Sequence, residues 1–325
     1  MPYPCNQLGF DRLFKTDKDC LDYLLQLKQP EGFHCLKCGN KTYWLGTREK
    51  LICKKCRAET SITANTLFHK SRLPLGVLFR AMWWIIAQKN AAPTYLPACP
   101  VGTAGGQGVS AQGLQRVLGI GSYETAWGWL HKFRRLIVMS DREKLSGMVE
   151  IDETLVGGKK SGKRGRGAEG KTLVVMALEI NNFGTGRVRL MEIPDATRQS
   201  LNAFIKANIE KGTTITTDGW KGYVDINKMP RLPADRGYKR IISDQTKLLD
   251  GEHILPHVHR IASLLNRWLL GTHQSYVTKN YLQYYLDEFV FRHNRRKSKS
   301  RGLLFYTLIQ QAAKAKPIKD TKKRE

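Results

Sequence analysis

Two Cys-x-x-Cys pairs, Cys35/Cys38 and Cys53/Cys56, constrain this chain more tightly than any other feature of its sequence. Each pair fits a tight turn, and together they supply the four thiolates of a tetrahedral zinc ion. Gly39 and Asn40, directly after the first pair, are turn residues. The stretch from 31 to 60 is too short to bury a core of its own, so bound metal must contribute its folding energy. Disulfides are the competing use of paired cysteines. Met1 to Phe14 holds Asp11 and Arg12 and lacks the long apolar core of a secretion signal. A cytoplasmic, reducing location is therefore expected, where clustered cysteines serve a metal. Cys5, Cys20 and Cys99 stand outside the pairs and read as buried or incidental thiols.

The same segment is basic, with Lys37, Lys41, Lys50, Lys54, Lys55 and Arg57 available for phosphate contact. That bias extends over the whole chain, which carries a net charge of +26 in 325 residues. Such an excess repels itself in a compact fold and implies a polyanionic partner. Nucleic acid is the leading partner and an acidic membrane surface the second. The membrane reading is weaker, because no apolar run approaches the length of a spanning helix and the most apolar stretch, Val77 to Ala87, is interrupted by Arg80.

Before residue 145 the pattern is helical apart from the cysteine segment. A lead helix carries Leu21, Leu24, Leu25 and Leu27 and ends at Lys28-Gln29-Pro30; another runs from Pro74 to about Gln88. A Gly- and Pro-rich linker over 90–109 follows. Ser110 to Leu118, a Gly119-Ile120-Gly121 turn, and a helix capped by Ser122 and running to about Val138 form a helix-turn-helix pattern. In the second helix Ala126, Leu130, Phe133 and Ile137 make the core stripe. Lys132, Arg134 and Arg135 fall off that stripe, with Tyr123 and Thr125, and are assigned to a major groove and its phosphates.

From Met148 the period changes. Met148–Leu155, Thr172–Ile180 and Arg187–Ile193 read as strands, Arg198–Glu210 as a helix, Thr213–Asp218 and Tyr238–Ser243 as strands, and Leu255–Leu270 as a long helix. The expected architecture is a mixed-sheet α/β domain over 145–312, preceded by a helical lead and ribbon over 1–72 and a helical DNA-binding region over 73–144. A lysine-rich tail follows over 313–325. Val149, Ile151 and Leu155 share one face of the first strand, which leaves Glu150, Asp152 and Thr154 on the other. Asp218 ends another strand. Carboxylates on two strands can converge at one sheet edge and hold divalent ions that stabilise attacking and leaving oxygens in phosphodiester chemistry. Between the first two strands, Gly157 to Lys171 reads as a flexible cationic loop that closes on bound DNA through Lys159, Lys160, Lys163, Arg164 and Arg166.

The ordered set of two C-x-x-C pairs, helix-turn-helix, E-I-D-E-T, T-T-D-G, and W-L-L-G-T-H followed by Y-L-D-E-F-V-F-R-H-N-R-R resembles the insertion-sequence transposases with an N-terminal zinc ribbon, the ISXO2-like group. The resemblance spans about residues 20 to 297, and its most specific part is the last motif (Trp268 to His273, then Tyr285 to Arg296). It implies an RNase H-like, DDE-type catalytic domain, binding of double-stranded DNA at terminal inverted repeats, and Mg²⁺- or Mn²⁺-dependent cleavage. The freed 3′-OH then attacks target DNA. It further implies a homo-oligomer on DNA and catalytic roles for Asp152 and Asp218 as ligands of the divalent ion. The third ligand departs from the usual pattern. His259 fits the position that relatives fill with Glu, Asn or His, and Asn266 stands where they carry Lys. Glu252 is the acidic alternative. The competing function is a DNA-binding regulator with a decayed nuclease domain.

Overall fold

The computed structural model describes residues 1–47, 50–87, 108–138, 143–157, 171–182, 184–224, 237–243, 255–273 and 277–317. In chain order these form α1 (Gln7–Leu13), α2 (Asp17–Lys28), β1 (Tyr43–Leu45), β2 (Lys50–Cys53), β3 (Glu59–Ser61), α3 (Leu75–Ala87), α4 (Ala111–Leu118) and α5 (Tyr123–Ile137). There follow β4 (Met148–Val156), β5 (Thr172–Asn181), β6 (Gly184–Ile193), α6 (Arg198–Asn208), β7 (Thr214–Thr217), β8 (Lys239–Ile242), α7 (Pro256–His273), α8 (Lys279–Asn294) and α9 (Arg301–Lys314). Contacts divide the chain into two compact units.

The first unit draws on Met1–Gln88, Val109–Ile137 and Ser298–Glu325. Its helices begin where the sequence supplies caps. Thr16 and Asp19 form a reciprocal capping box at α2, and the Ser110 side chain accepts from Gly113 N–H at α4. Gly119, at φ 64°, ends α4 in the left-handed region that costs glycine little. Helix α3 is apolar on most sides and sits at the centre of the unit. Its Phe79 and Trp83 pack with Phe10, Phe14 and Phe305, with Phe10–Phe305 centroids 5.5 Å apart and Phe79–Phe305 centroids 6.0 Å apart. Phe305 belongs to α9, whose Ala312 carbonyl accepts from Leu67 N–H at 2.9 Å. The last helix of the expected 145–312 domain thus packs with the N-terminal unit, because its apolar face completes an aromatic core at the other end of the chain.

The second unit, which includes Val138–Lys297, is built on a five-stranded sheet in the order β6-β5-β4-β7-β8. β4, β5 and β6 pair antiparallel, while β7 joins β4 and β8 joins β7 in parallel. Alternation along the strands separates two cores. Val149, Ile151, Val175, Ala177 and Ile215 face Leu201, Phe204 and Ile205 of α6. Val174, Met176, Leu178, Val188 and Leu190 face Val258, Ile261, Leu265 and Trp268 of α7 and Phe289 of α8. A mixed sheet in this order with helices on both faces is the RNase H-like α/β arrangement, and the ribbon and helical region precede it in the chain.

Helix α8 also serves the edge strand β6. Gln283 accepts from Glu192 N–H at 3.0 Å, and Asn294 accepts from Val188 N–H at 2.8 Å. Arg296 donates to the carbonyls of Gly186 and Thr185. An edge whose backbone groups are occupied by side chains offers less to a foreign strand. The Tyr285–Arg296 motif is thus largely a packing element, with Asp287, Glu288, Arg292 and His293 all buried.

Candidate functional site

The ribbon is the simpler of two sites. β1, β2 and β3 form a small antiparallel sheet, and each Cys-x-x-Cys lies in a turn at its end. Gly39 N–H donates to Cys35 O at 2.8 Å, and Arg57 N–H donates to Cys53 O at 3.0 Å. The residues after the pairs, Gly39 (φ 69°) and Arg57 (φ 59°), both adopt left-handed backbone. Glycine does so freely, whereas arginine is strained there. The Arg57 guanidinium lies 4.6 Å from the Trp44 ring centroid, a cation–π contact that offsets part of the cost. The sulfurs of Cys35 and Cys56 are 3.5 Å apart and those of Cys38 and Cys53 are 3.6 Å apart, all four lying within 4.8 Å of one another. A disulfide would need about 2 Å. Tetrahedral zinc with sulfur at about 2.3 Å wants sulfur–sulfur edges near 3.8 Å. The four thiols fit structural zinc.

The second site lies on the α7 face of the large sheet. β4 and β7 pair Met148 with Thr214, Val149 with Ile215 and Glu150 with Thr216. The same offset brings Asp218, one residue past β7, level with Asp152 on β4. Asp152 Oδ2 accepts from His259 Nε2 of α7 at 3.0 Å; the Asp152 side chain is mostly buried and the His259 side chain about half exposed. Asp218 Oδ1 accepts from Trp220 N–H at 3.0 Å. Arg240 of β8 braces this turn, donating to Thr217 Oγ1 at 2.9 Å and to Asp218 O at 2.9 Å. Burial raises the pKa of Asp152, and the charges of Glu153 and Asp218 push the same way against the opposing pull of His259. A carboxylate so placed gains from a nearby cation. Among the described residues, only the four cysteines bring three or more metal-ligating side chains within 4.8 Å of one another. Asp152, Asp218 and His259 neighbour one another more loosely than that.

Other side chains of this site were not singled out by the sequence. Glu150 is buried on the same face of β4, where its carboxylate accepts from His257 Nδ1 at 2.8 Å and from Val258 N–H at 2.9 Å. Glu153, on the opposite face, accepts a hydrogen bond from the Tyr223 hydroxyl. Burial, and then the charge of Glu153, hold that phenol protonated. The alternation of M-V-E-I-D-E-T-L would have put Glu150 beside Asp152, but nothing local distinguishes a carboxylate that caps a distant helix from a solvated one. Asn266 is exposed on α7, two turns beyond His259. Glu252 lies outside the described residues.

Residues 15–59 match the transposase zinc-ribbon domain, and residues 144–294 match the ISXO2-like transposase domain. The chain belongs to the zinc-ribbon, ISXO2-like transposases. No curated protein matches it. The second match ends at the last residue of α8, which agrees with α9 packing in the other unit of the transposase.

In this transposase α4 and α5 form the helix-turn-helix pair, with Ser122 Oγ accepting from Thr125 N–H at 3.1 Å. Ala126, Leu130, Phe133 and Ile137 are buried. The basic residues of α5 need a correction. Arg134 was expected on the open face with Lys132 and Arg135, yet it is only 2% exposed, and its Nη1 lies 3.4 Å from His131 Nε2. The buried arc of α5 also takes in Trp129 and Leu136, so it is wider than a four-residue stripe and sweeps over position 134. Lys132 and Arg135 are part-buried, and the Lys132 ammonium sits 4.7 Å from the Trp129 ring centroid. Tyr123 and Glu124 at the start of α5 are exposed. Lys159, Lys160, Lys163, Arg164 and Arg166 lie outside the described residues, as does Cys99. Cys20 is buried and Cys5 exposed. Among the described residues no helix is long and apolar enough to cross a membrane.

Proposed function

We propose that this transposase binds the terminal inverted repeats of its own insertion sequence, cleaves the DNA at the element ends with a divalent metal, and joins the freed 3′-OH to target DNA. The observation that carries the reading is the level placement of Asp152 and Asp218 on neighbouring parallel strands, with His259 against Asp152. Asp152, Asp218 and His259 would hold the metal, and the donor set fits: two carboxylates, one disfavoured in its charged form until a cation arrives, and a partly exposed imidazole. Such a metal, when bound, polarises the scissile phosphate and sharpens the attacking oxygen. An imidazole ligand suits manganese better than magnesium, which prefers oxygen donors, so activity in Mn²⁺ should be at least as high as in Mg²⁺.

The remaining work falls to the chain's own residues. Arg240 and Trp220 N–H hold Asp218 in place, and the apolar contacts of α7 hold His259 over the sheet. The basic ribbon and helical region, residues 1–72 and 73–144, recognise the ends, and the sheet domain supplies the chemistry. Lys159, Lys160, Lys163, Arg164 and Arg166 add contacts to the DNA backbone. Since two ends must meet for joining, two or more copies act together on DNA in the cytoplasm.

The test uses labelled DNA carrying the inverted repeats that flank the gene. Wild type should nick at the element ends and yield joined products in Mg²⁺ or Mn²⁺. Asp152→Asn and Asp218→Asn should bind the same DNA within about twofold yet lose cleavage by at least 10³, because each removes a charge that holds the metal. Specific binding with no cleavage in either metal would replace this reading with a DNA-binding regulator.

A further inference from the structure

We propose that Glu150 is a positioning residue of this transposase: its carboxylate caps the first turn of α7 and grips His257, and thereby fixes His259 against Asp152. The inference rests on the reading of Asp152 and His259 as site residues and adds to it the part that sets their spacing.

A helix leaves the first N–H groups of its opening turn without partners inside the helix. In α7 the first position is Pro256, which has no N–H to satisfy. The next unsatisfied donors lie at His257 and Val258. A side chain from the sheet caps the second of these and holds the side chain of the first. Glu150 Oε2 takes the Val258 N–H at 2.9 Å, and Oε1 lies 2.8 Å from His257 Nδ1. The Glu150 side chain is 11% exposed and its bond to Val258 N–H is buried, whereas the His257 side chain on the other oxygen is 41% exposed. A carboxylate at a helix N-terminus is favoured by the helix dipole, and hydrogen bonds to a charged acceptor are stronger than neutral ones.

The geometry forms two rungs. Glu150 and Asp152 are alternate residues of β4 and project from one face, while Val258 and His259 are consecutive in the first turn of α7. One rung joins Glu150 to His257 and Val258; the other joins Asp152 to His259 at 3.0 Å. Below them α7 packs on the sheet through Val258, Ile261, Leu265 and Trp268. Apolar packing is non-directional and holds the helix down without fixing its turn about its own axis as tightly as hydrogen bonds do. The buried polar rung at Glu150 supplies that directional constraint. Both Glu150 oxygens are engaged in this way, which leaves Asp152, against His259, as the carboxylate on this face of β4 that can meet a metal.

The experiment uses the full-length, zinc-loaded protein. Amide hydrogen exchange over residues 255–262, measured without Mg²⁺, Mn²⁺ or DNA, reads the cap directly. Glu150→Ala should speed exchange at Val258 by about 10- to 100-fold, while Glu150→Gln, which keeps an oxygen acceptor, should stay within a few fold of wild type. Mn²⁺ binding, followed by electron paramagnetic resonance, should weaken about 10- to 100-fold in Glu150→Ala and recover most of that loss in Glu150→Gln. If Glu150→Ala does not fold, Glu150→Asp carries the test, since its shorter arm keeps the charge but cannot span to Val258. Wild-type exchange at Val258 in the variant that folds overturns the proposal. So does faster exchange with unchanged Mn²⁺ affinity, which would make Glu150 a fold residue only. Asp152→Asn with wild-type Mn²⁺ binding would instead defeat the reading of the site and leave the cap standing.

Discussion

A carboxylate or a guanidinium acquires its task from what surrounds it. Asp152 and Glu150 are both carboxylates, two residues apart on one strand face. One has both oxygens engaged with the opening turn of α7, and the other meets a partly exposed histidine at 3.0 Å. Arg134 makes the same point for basic residues. It looks like a DNA contact by charge, yet it lies within the helical unit beside His131. Arg134→Ala should therefore act on folding first. Losing a buried charged side chain with its packing and leaving its neighbours unpaired costs roughly 2–4 kcal/mol. Chemical denaturation of the variant should show that loss. An Arg134→Ala protein of wild-type stability with weakened DNA binding would return the residue to the DNA-contact role.

Single elements carry constraints that run against their own propensities. Gly302 opens the first turn of α9, where alanine would ordinarily favour the helix by up to about 1 kcal/mol. A Cβ there would stand 1.9 Å from the Pro4 carbonyl oxygen, a backbone atom that cannot swing away. Gly302→Ala should thus destabilise by about 1–3 kcal/mol, the usual cost of forced overpacking, visible as a lower denaturation midpoint. In α8 the buried His293 stacks near Phe289. Its pKa is lowered to about 4, first by burial and then by the charge of Arg296, while a hydrogen bond to Gly186 opposes the shift. An unfolded histidine titrates near 6.5. Above that pH both states are neutral and the group contributes nothing. As pH falls from about 6.5 toward 4 the unfolded chain takes up the proton first, so stability drops across that window by about 3 kcal/mol in all. Denaturation midpoints of wild type should fall from pH 7 to pH 4.5 more steeply than those of His293→Gln; parallel profiles would contradict the buried neutral imidazole.

The whole molecule is governed by metal and by charge. The ribbon has little apolar core, and its four thiols converge to metal-binding distance. Replacing Cys53 by Ser, or stripping zinc with a strong chelator, should unfold residues 31–60 and abolish specific DNA binding. The circular dichroism of the sheet domain should be preserved. Full binding by a zinc-free protein would show that the ribbon is dispensable. The net charge of +26 makes the complex with DNA a release of counterions. Affinity should fall by roughly 10³–10⁵ between 50 and 200 mM salt if six to ten phosphates are contacted. Neutralising Lys159, Lys160, Lys163, Arg164 and Arg166 together should flatten that slope by an amount that counts the phosphates they touch. An unchanged slope would remove the loop from the interface.

The sequence by itself determined what depends on near neighbours in the chain. Cysteine spacing specifies two metal-binding turns, Ser122 specifies a helix start, and the alternation of β4 puts Glu150 and Asp152 on the face opposite Val149 and Ile151. All of these are set by turn geometry, capping and strand period, which act over a few residues. Only the tertiary structure decided which distant segments those faces meet. The parallel offset between β4 and β7 brings Asp218 level with Asp152. The docking of α7 turns Glu150 from a second strand acid into a cap. The breadth of the core around α5 buries Arg134. Helix α9, which follows the sheet domain in sequence, packs on α3 because the aromatic surface able to bury Phe305 lies there. Apolar burial rewards whichever surface closes out water and is indifferent to separation along the chain, so no local pattern could have announced these pairings.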